Sequence, residues 1–134
     1  MTARTLSGGC LCGAVRYTAT GDPINVRLCH CRLCQKASGQ PIFARALYPR
    51  SAVAITGETA GFRSSEDLER RFCPTCGTGL FAGRVSAPER YAITLATLDD
   101  PDALTPEAQI WTSRRIGWMA DLDAIPEHDE FPPA

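Results

Sequence analysis

The chain's chemistry is concentrated in seven cysteines, which fall into three clusters: Cys10-Leu11-Cys12, Cys29-His30-Cys31-Arg32-Leu33-Cys34 and Cys73-Pro74-Thr75-Cys76-Gly77. A thiolate is a nucleophile and a soft metal ligand, and thiolates grouped at short spacing point to zinc. In the third cluster two sulfurs separated by two residues can meet one ion where the backbone turns tightly, and Pro74 and Gly77 supply that turn. The knuckle offers two ligands. Cys10 and Cys12, set between Gly8-Gly9 and Gly13, offer two more, so Cys10, Cys12, Cys73 and Cys76 combine into a closed structural site. Such sites contribute on the order of 10–16 kcal/mol of apparent binding free energy, most of which can appear as folding free energy. Four thiolates around one Zn²⁺ leave a net negative charge, which Arg16, Arg70 and Arg71 are close enough in sequence to offset.

Three cysteines then remain for the middle cluster. If Arg32 to Ser38 is helical, Cys31 and Cys34 lie on one face at i and i+3, and Cys29 reaches in from a preceding strand. The positive end of the helix dipole favours thiolates there. Three protein ligands leave one position of a zinc ion open, the arrangement of catalytic rather than structural sites. His30 could supply a fourth ligand and close the site, but in an extended segment it points away from the sulfurs of Cys29 and Cys31, which favours packing or orienting a group near the pocket. His128 lies in an acidic tail and reads as solvated. The composition therefore implies two Zn²⁺ per chain, one enclosed and one open.

The elements that must position these sulfurs are mostly strands. Ala14 to Thr20 alternates, with Val15, Tyr17 and Ala19 on one face. Ile42 to Tyr48, Ala52 to Thr56, Leu80 to Arg84 and Tyr91 to Thr97 are also short and rich in apolar or β-branched residues. Turn chemistry separates them at Gly21-Asp22-Pro23, Gly57, Gly77 to Gly79 and Asp99-Asp100-Pro101. One short helix is expected at Arg32 to Ser38, ended by Gly39 and kept from resuming by Pro41. A further helical turn is expected near Arg114 to Asp121, and the acidic, proline-rich end from Ile125 to Ala134 should lie extended on the surface. The sum is a mainly β protein of short antiparallel strands, one domain over residues 1–134 with a core at about 5–127.

Charge and composition exclude several partner classes. With 14 basic and 15 acidic residues and no basic stripe, the chain lacks a nucleic-acid footprint. No apolar stretch approaches the ~20 residues of a membrane span, and the start lacks the apolar run of a signal peptide. These features predict a cytoplasmic protein whose cysteines are thiols or metal ligands rather than disulfides.

The chain also resembles the glutathione-dependent formaldehyde-activating (GFA) family, which includes S-(hydroxymethyl)glutathione synthase. The resemblance rests on Gly8-Gly9-Cys10-Leu11-Cys12-Gly13-Ala14-Val15-Arg16-Tyr17, on Cys29-His30-Cys31-Arg32-Leu33-Cys34-Gln35-Lys36 with Gly39, and on Arg71-Phe72-Cys73-Pro74-Thr75-Cys76-Gly77-Thr78. Thr97-Leu98-Asp99-Asp100-Pro101 and Ile110-Trp111 to Trp118 extend it. It implies a β-tent fold of short antiparallel strands with zinc between them, and the same division of sulfurs into four and three. It also implies a carbon–sulfur lyase activity, in which formaldehyde and glutathione or a related small thiol are joined as a thiohemiacetal or released from it. An open zinc suits that chemistry by lowering the pKa of a thiol and polarising a carbonyl. His30, Lys36 and Ser38, within the middle cluster's own segment, are the candidates to shuttle protons or hold substrate. The alternative reading is a non-catalytic zinc module that binds a partner or ligand through its surface, with Trp111 and Trp118 as contact residues.

Overall fold

The computed structural model describes residues 4–133. Ten strands are present among them: β1 (Thr5–Gly9), β2 (Arg16–Thr20), β3 (Asn25–Cys29), β4 (Phe43–Pro49), β5 (Val53–Thr56), β6 (Ala60–Arg63), β7 (Leu68–Phe72), β8 (Gly79–Arg84), β9 (Arg90–Thr94) and β10 (Ala108–Ile110). One α-helix, α1 (Arg32–Ser38), and several 3-10 turns complete the fold. The strands form a three-stranded sheet, β1-β2-β5, and a seven-stranded sheet, β10-β3-β4-β9-β8-β7-β6. Neighbours pair antiparallel throughout, except that β10 adds parallel to β3 at the edge. No helix among the described residues is long and apolar enough to cross a membrane.

The alternation read from residues 14 to 20 is the key to how the sheets meet. Val15, Tyr17 and Ala19 are all buried, and they join Val53 of β5 with Ala46, Tyr48, Leu80, Phe81 and Ile93 of the larger sheet in one core. Tyr17 meets Phe81 edge-on at 5.3 Å between ring centroids, a preferred aromatic geometry. Its hydroxyl lies 2.8 Å from Thr97 Oγ1, which satisfies the one polar atom the ring carries into the core. Gly8 packs beneath that hydroxyl, where a Cβ would collide with the Tyr17 ring and the Thr97 carbonyl. This close approach also lets Gly8 bridge to Leu98 and tie β1 to the segment that follows β9.

The helix begins and ends where the sequence places it. Gly39 adopts φ 69° and returns its N–H to the carbonyl of Gln35, the left-handed stop that glycine takes without steric cost. One expectation is corrected and one is refined. The strand expected from Tyr91 to Thr97 stops at Thr94, and Leu95–Thr97 form a 3-10 turn that still buries Leu95. The helical turn expected near Arg114 to Asp121 is instead two 3-10 segments, Thr112–Arg114 and Gly117–Ala124, the second broken at Asp121. None of their residues is buried, so no core contact holds a longer helix together, and 3-10 geometry prevails in short runs.

Candidate metal centres

Two groups of sulfurs converge: Cys10, Cys12, Cys73 and Cys76 in one, and Cys29, Cys31 and Cys34 in the other, each with its ligand atoms within 4.8 Å of one another. All seven are free thiols. This is the division expected from spacing.

The group of four is made by two loops of one design. The loop from Cys10 to Val15 is closed by Cys10 N–H to the Val15 carbonyl at 3.0 Å and Gly13 N–H to the Cys10 carbonyl at 3.2 Å. Its counterpart is closed by Cys73 N–H to the Thr78 carbonyl at 3.0 Å and Gly77 N–H to the Cys73 carbonyl at 2.8 Å. Gly13 and Gly77 both take left-handed φ, 82° and 81°, which the sharp reversal demands. Backbone N–H groups then point at sulfur: Val15 to Cys10 Sγ at 3.2 Å and Cys76 to Cys73 Sγ at 3.5 Å. Thr78 stitches the loops together, accepting from Leu11 N–H at 3.1 Å and lying 3.2 Å from Cys76 Sγ.

The distances test whether zinc fits. A tetrahedron with Zn–S bonds near 2.3 Å has an S···S edge of about 3.8 Å, whereas a disulfide needs about 2.05 Å. Cys10 and Cys12 sulfurs are 3.6 Å apart, and those of Cys12 and Cys73 are 3.8 Å apart. The donor set and its spacing fit a tetrahedral thiophilic ion. Proton sharing is uneven within the group. Hydrogen bonds from the Thr78 side chain and backbone draw the Cys76 thiol down to about 5. A backbone hydrogen bond at Ala14 works downward on Cys12, yet the adjoining sulfurs and burial prevail and push it up to about 11.

The group of three is local. Cys29 ends β3, Cys31 caps α1, and Cys34 lies in its first turn. The Cys31 sulfur accepts from Cys34 N–H at 3.3 Å, as a serine or aspartate cap would. Burial pushes the Cys29 thiol up to about 12. Burial also raises Cys34, against the downward pull of a hydrogen bond from Arg70. At Cys31 burial acts upward but is overridden by the Cys34 N–H, the neighbouring thiols and the Arg70 charge, so its thiol is lowered.

Arg70 is the residue the sequence reading misassigned. Expected to offset the group of four, it reaches the group of three, with Nη2 donating to Cys34 Sγ at 3.2 Å and Nε donating to Ser64 Oγ at 2.8 Å. It is only 6% exposed, and its guanidinium lies 4.9 Å over the Phe43 ring. Arg16 pairs with Asp99, and Arg71 donates to Thr59. Three thiolates with Zn²⁺ would carry a single negative charge, and one arginine in contact balances it. The sulfurs of the group of four receive backbone N–H groups and lie beside the Thr78 hydroxyl.

The three candidates for proton handling occupy different surroundings. His30 is buried, and its Nε2 lies 2.8 Å from Gln109 Oε1 on β10, so the ring faces the edge strand and not the sulfurs. Its Nδ1 is enclosed with no hydrogen-bond partner among the described residues. Lys36 is exposed on the helix. Ser38 donates to the Cys34 carbonyl at 2.7 Å and accepts from Gln40 N–H at 3.1 Å, bracing the end of α1. Gln35, given no part by the sequence, is buried and donates to the carbonyls of His30 at 2.8 Å and Arg114 at 3.2 Å, fastening the later segment against the helix. Only its place directly after the second cysteine cluster singled it out.

Comparison with known proteins agrees with the reading of the cysteine pattern. A sequence model of the family described as glutathione-dependent formaldehyde-activating enzyme (GFA) matches residues 5–114. A protein of Schizosaccharomyces pombe described as an uncharacterized lyase is 27% identical over 103 residues, spanning 77% of this chain and 75% of that protein. A crystal structure of a Rhodobacter sphaeroides protein shares the fold, with a TM-score of 0.59 at 24% identity, covering 78% of this chain and 99% of that one.

Proposed function

The chain belongs to the glutathione-dependent formaldehyde-activating family, and we propose that it is a zinc-dependent carbon–sulfur lyase acting on an adduct between a small thiol and an aldehyde. The reading places it in the cytoplasm, with residues 5–127 acting as one zinc-binding unit. The description of the Schizosaccharomyces pombe relative as a lyase supports the reaction class. The observation that carries the proposal is the group of three: sulfurs within 4.8 Å of one another, with a buried arginine in place of a fourth cysteine.

In this reading Cys29, Cys31 and Cys34 hold one zinc, and Cys10, Cys12, Cys73 and Cys76 hold the other. Zinc, when bound with an open position, supplies Lewis acidity and lowers the pKa of a thiol that reaches it. The reaction joins the thiol sulfur to the aldehyde carbon; the thiol proton ends on the former carbonyl oxygen, and the reverse direction returns both. Formaldehyde adds to thiols unaided, so the protein's part is proximity and orientation. Arg70 fixes Cys34 Sγ through Nη2 and brings positive charge beside the group of three. Gln35 and Ser38 hold the helix that carries Cys34, and Cys31 closes its first turn. His30 anchors β10 beside Cys29, and Lys36 stays in solvent; in this reading neither moves a proton.

The test is exchange NMR on formaldehyde with a panel of thiols, comparing zinc-loaded wild type with Cys31→Ser. Faster exchange between free and adduct forms for at least one thiol, lost in the variant, is the expected result. Rates unchanged by the protein for every thiol would sink the enzyme reading. They would favour a zinc module that binds a partner, for which the exposed Trp111 and Trp118 are the available contacts.

A further inference from the structure

A cavity of about 430 Å³ touches both sulfur-bearing segments: Ala37 and Ser38 follow Cys34 in α1, and Gly77 follows Cys76. Its volume suits a small organic ligand. Four phenyl rings line it, Phe43, Phe62, Phe72 and Phe81, each from a different strand. Its charged side chains are Arg70 and Arg71, and among the described residues no acidic side chain lines it. Arg71 is committed elsewhere, with Nε and Nη2 on Thr59 and Nη1 3.6 Å from Glu69. Arg70 forms no ion pair with a carboxylate among the described residues, and its engaged nitrogens are Nε and Nη2. A buried guanidinium with donor capacity in an aromatic surround calls for an electron-rich oxygen partner.

Glutathione is a poor complement to such a wall. It carries an ammonium group and two carboxylates, and the ammonium finds no acidic side chain there. A compact aromatic body with one carboxylate or carbonyl group meets the phenyl rings and Arg70 together. We propose that this cavity holds the body of the substrate: an apolar, aromatic group bearing one anionic oxygen group at Arg70. It is joined to the sulfur or aldehyde carbon that reacts at Cys29, Cys31 and Cys34. The inference rests on the lyase reading and names its substrate class. Arg70 is the link, since it lines the cavity and donates to Cys34.

Binding can be read without turnover. 3-Phenylpropionate, its neutral analogue 3-phenylpropanamide and S-methylglutathione would each be titrated into the zinc-loaded full chain and followed by ¹H–¹⁵N NMR. The expected result is saturable shifts at the amides of Phe43, Phe62, Gly77 and Gly79 with 3-phenylpropionate. The amide analogue should bind about tenfold more weakly, because it lacks the charge-assisted bond. S-methylglutathione should leave those amides unmoved. Phe62→Ala, on an exposed edge strand, should weaken 3-phenylpropionate about fivefold with an unchanged melting curve. The proposal is overturned if 3-phenylpropionate gives no saturable shifts there, or if S-methylglutathione binds there as tightly. Binding of 3-phenylpropionate without any acceleration of thiol–aldehyde exchange would support the cavity assignment while removing the reaction.

Discussion

The two sulfur groups differ in what they join. The group of three lies within one strand end and one helical turn, positions 29 to 34, so the local chain brings its sulfurs together. The group of four joins loops 61 residues apart from Cys12 to Cys73, one beside the small sheet and one in the large sheet. Closing a loop of that length costs about 2 kcal/mol more than closing one of five residues, so a cross-link there removes more freedom from the unfolded chain. Cys10 and Cys73 are moreover part of the core that the two sheets share, whereas none of the three local cysteines belongs to it. In the proposed reading one site holds the fold, and the other is held by it.

The largest effect should separate them outright. Cys76→Ser should abolish the cooperative melt followed by circular dichroism, because zinc binding at such a site is folding free energy. Cys31→Ser should retain the fold and reduce zinc from two ions to one by native mass spectrometry. If both variants unfold alike, both sites are structural and the contrast disappears.

A second test concerns charge. Arg70→Met removes the one cation in hydrogen-bond contact with the group of three among the described residues. Partners that hydrogen-bond a metal ligand are typically worth about 10–100-fold in metal affinity, so competition with a chromogenic chelator should show a loss of that size for one zinc alone. The ion in the group of four, whose sulfurs receive backbone N–H groups, should keep its affinity. Equal weakening of both would mean that Arg70 acts through general destabilisation.

Backbone strain sharpens the contrast further. Gly77 and Gly39 both have left-handed φ, 81° and 69°, and open space where a Cβ would go. Alanine at either should cost roughly 1–2 kcal/mol of backbone strain, visible as similar shifts in urea midpoint. Gly77→Ala should in addition speed zinc release, since Gly77 N–H closes the knuckle on the Cys73 carbonyl. Gly39→Ala should leave release rates from both sites unchanged.

What the sequence revealed follows the same division between local and distant. The helix from Arg32 to Ser38 and the buried face Val15, Tyr17 and Ala19 were legible because the glycine stop and the alternation are written within a few residues. The sulfur grouping was legible because four ligands close a zinc site and three do not, which needs counting rather than geometry. β7 was missed because Leu68, Arg70 and Phe72 share a face whose most buried member is an arginine, and a charge at that position hides the alternation. β6 and β10 are four and three residues long at the two edges of the large sheet, too short to carry a period. The destination of Arg70 depends on a strand pairing that nothing near it in sequence specifies. Proximity along the chain therefore pointed to the wrong sulfur group.

Arg16 was another of the three arginines expected beside the group of four, and it gives the smallest effect and the finest control. It pairs with Asp99 through both terminal nitrogens, at 2.9 Å from Nη1 to Oδ1, while both side chains stay about half exposed. Such pairs contribute little and are screened by salt. Arg16→Ala should lower the melting temperature by a few degrees at most, less at high salt, and should not alter zinc release. The pair also fixes a pH signature. Its hydrogen bond and charge hold the Asp99 carboxyl below the ordinary 3.8. A depressed folded-state pKa stabilises fully above the unfolded value and loses that contribution as pH falls through the folded one. The difference between wild type and Arg16→Ala should therefore be constant from neutral pH down to about pH 5 and close only below the usual carboxylate range. A gap that instead tracks zinc loss on acidification would put Arg16 back beside the sulfurs, and the two sites would no longer differ in how their charge is met.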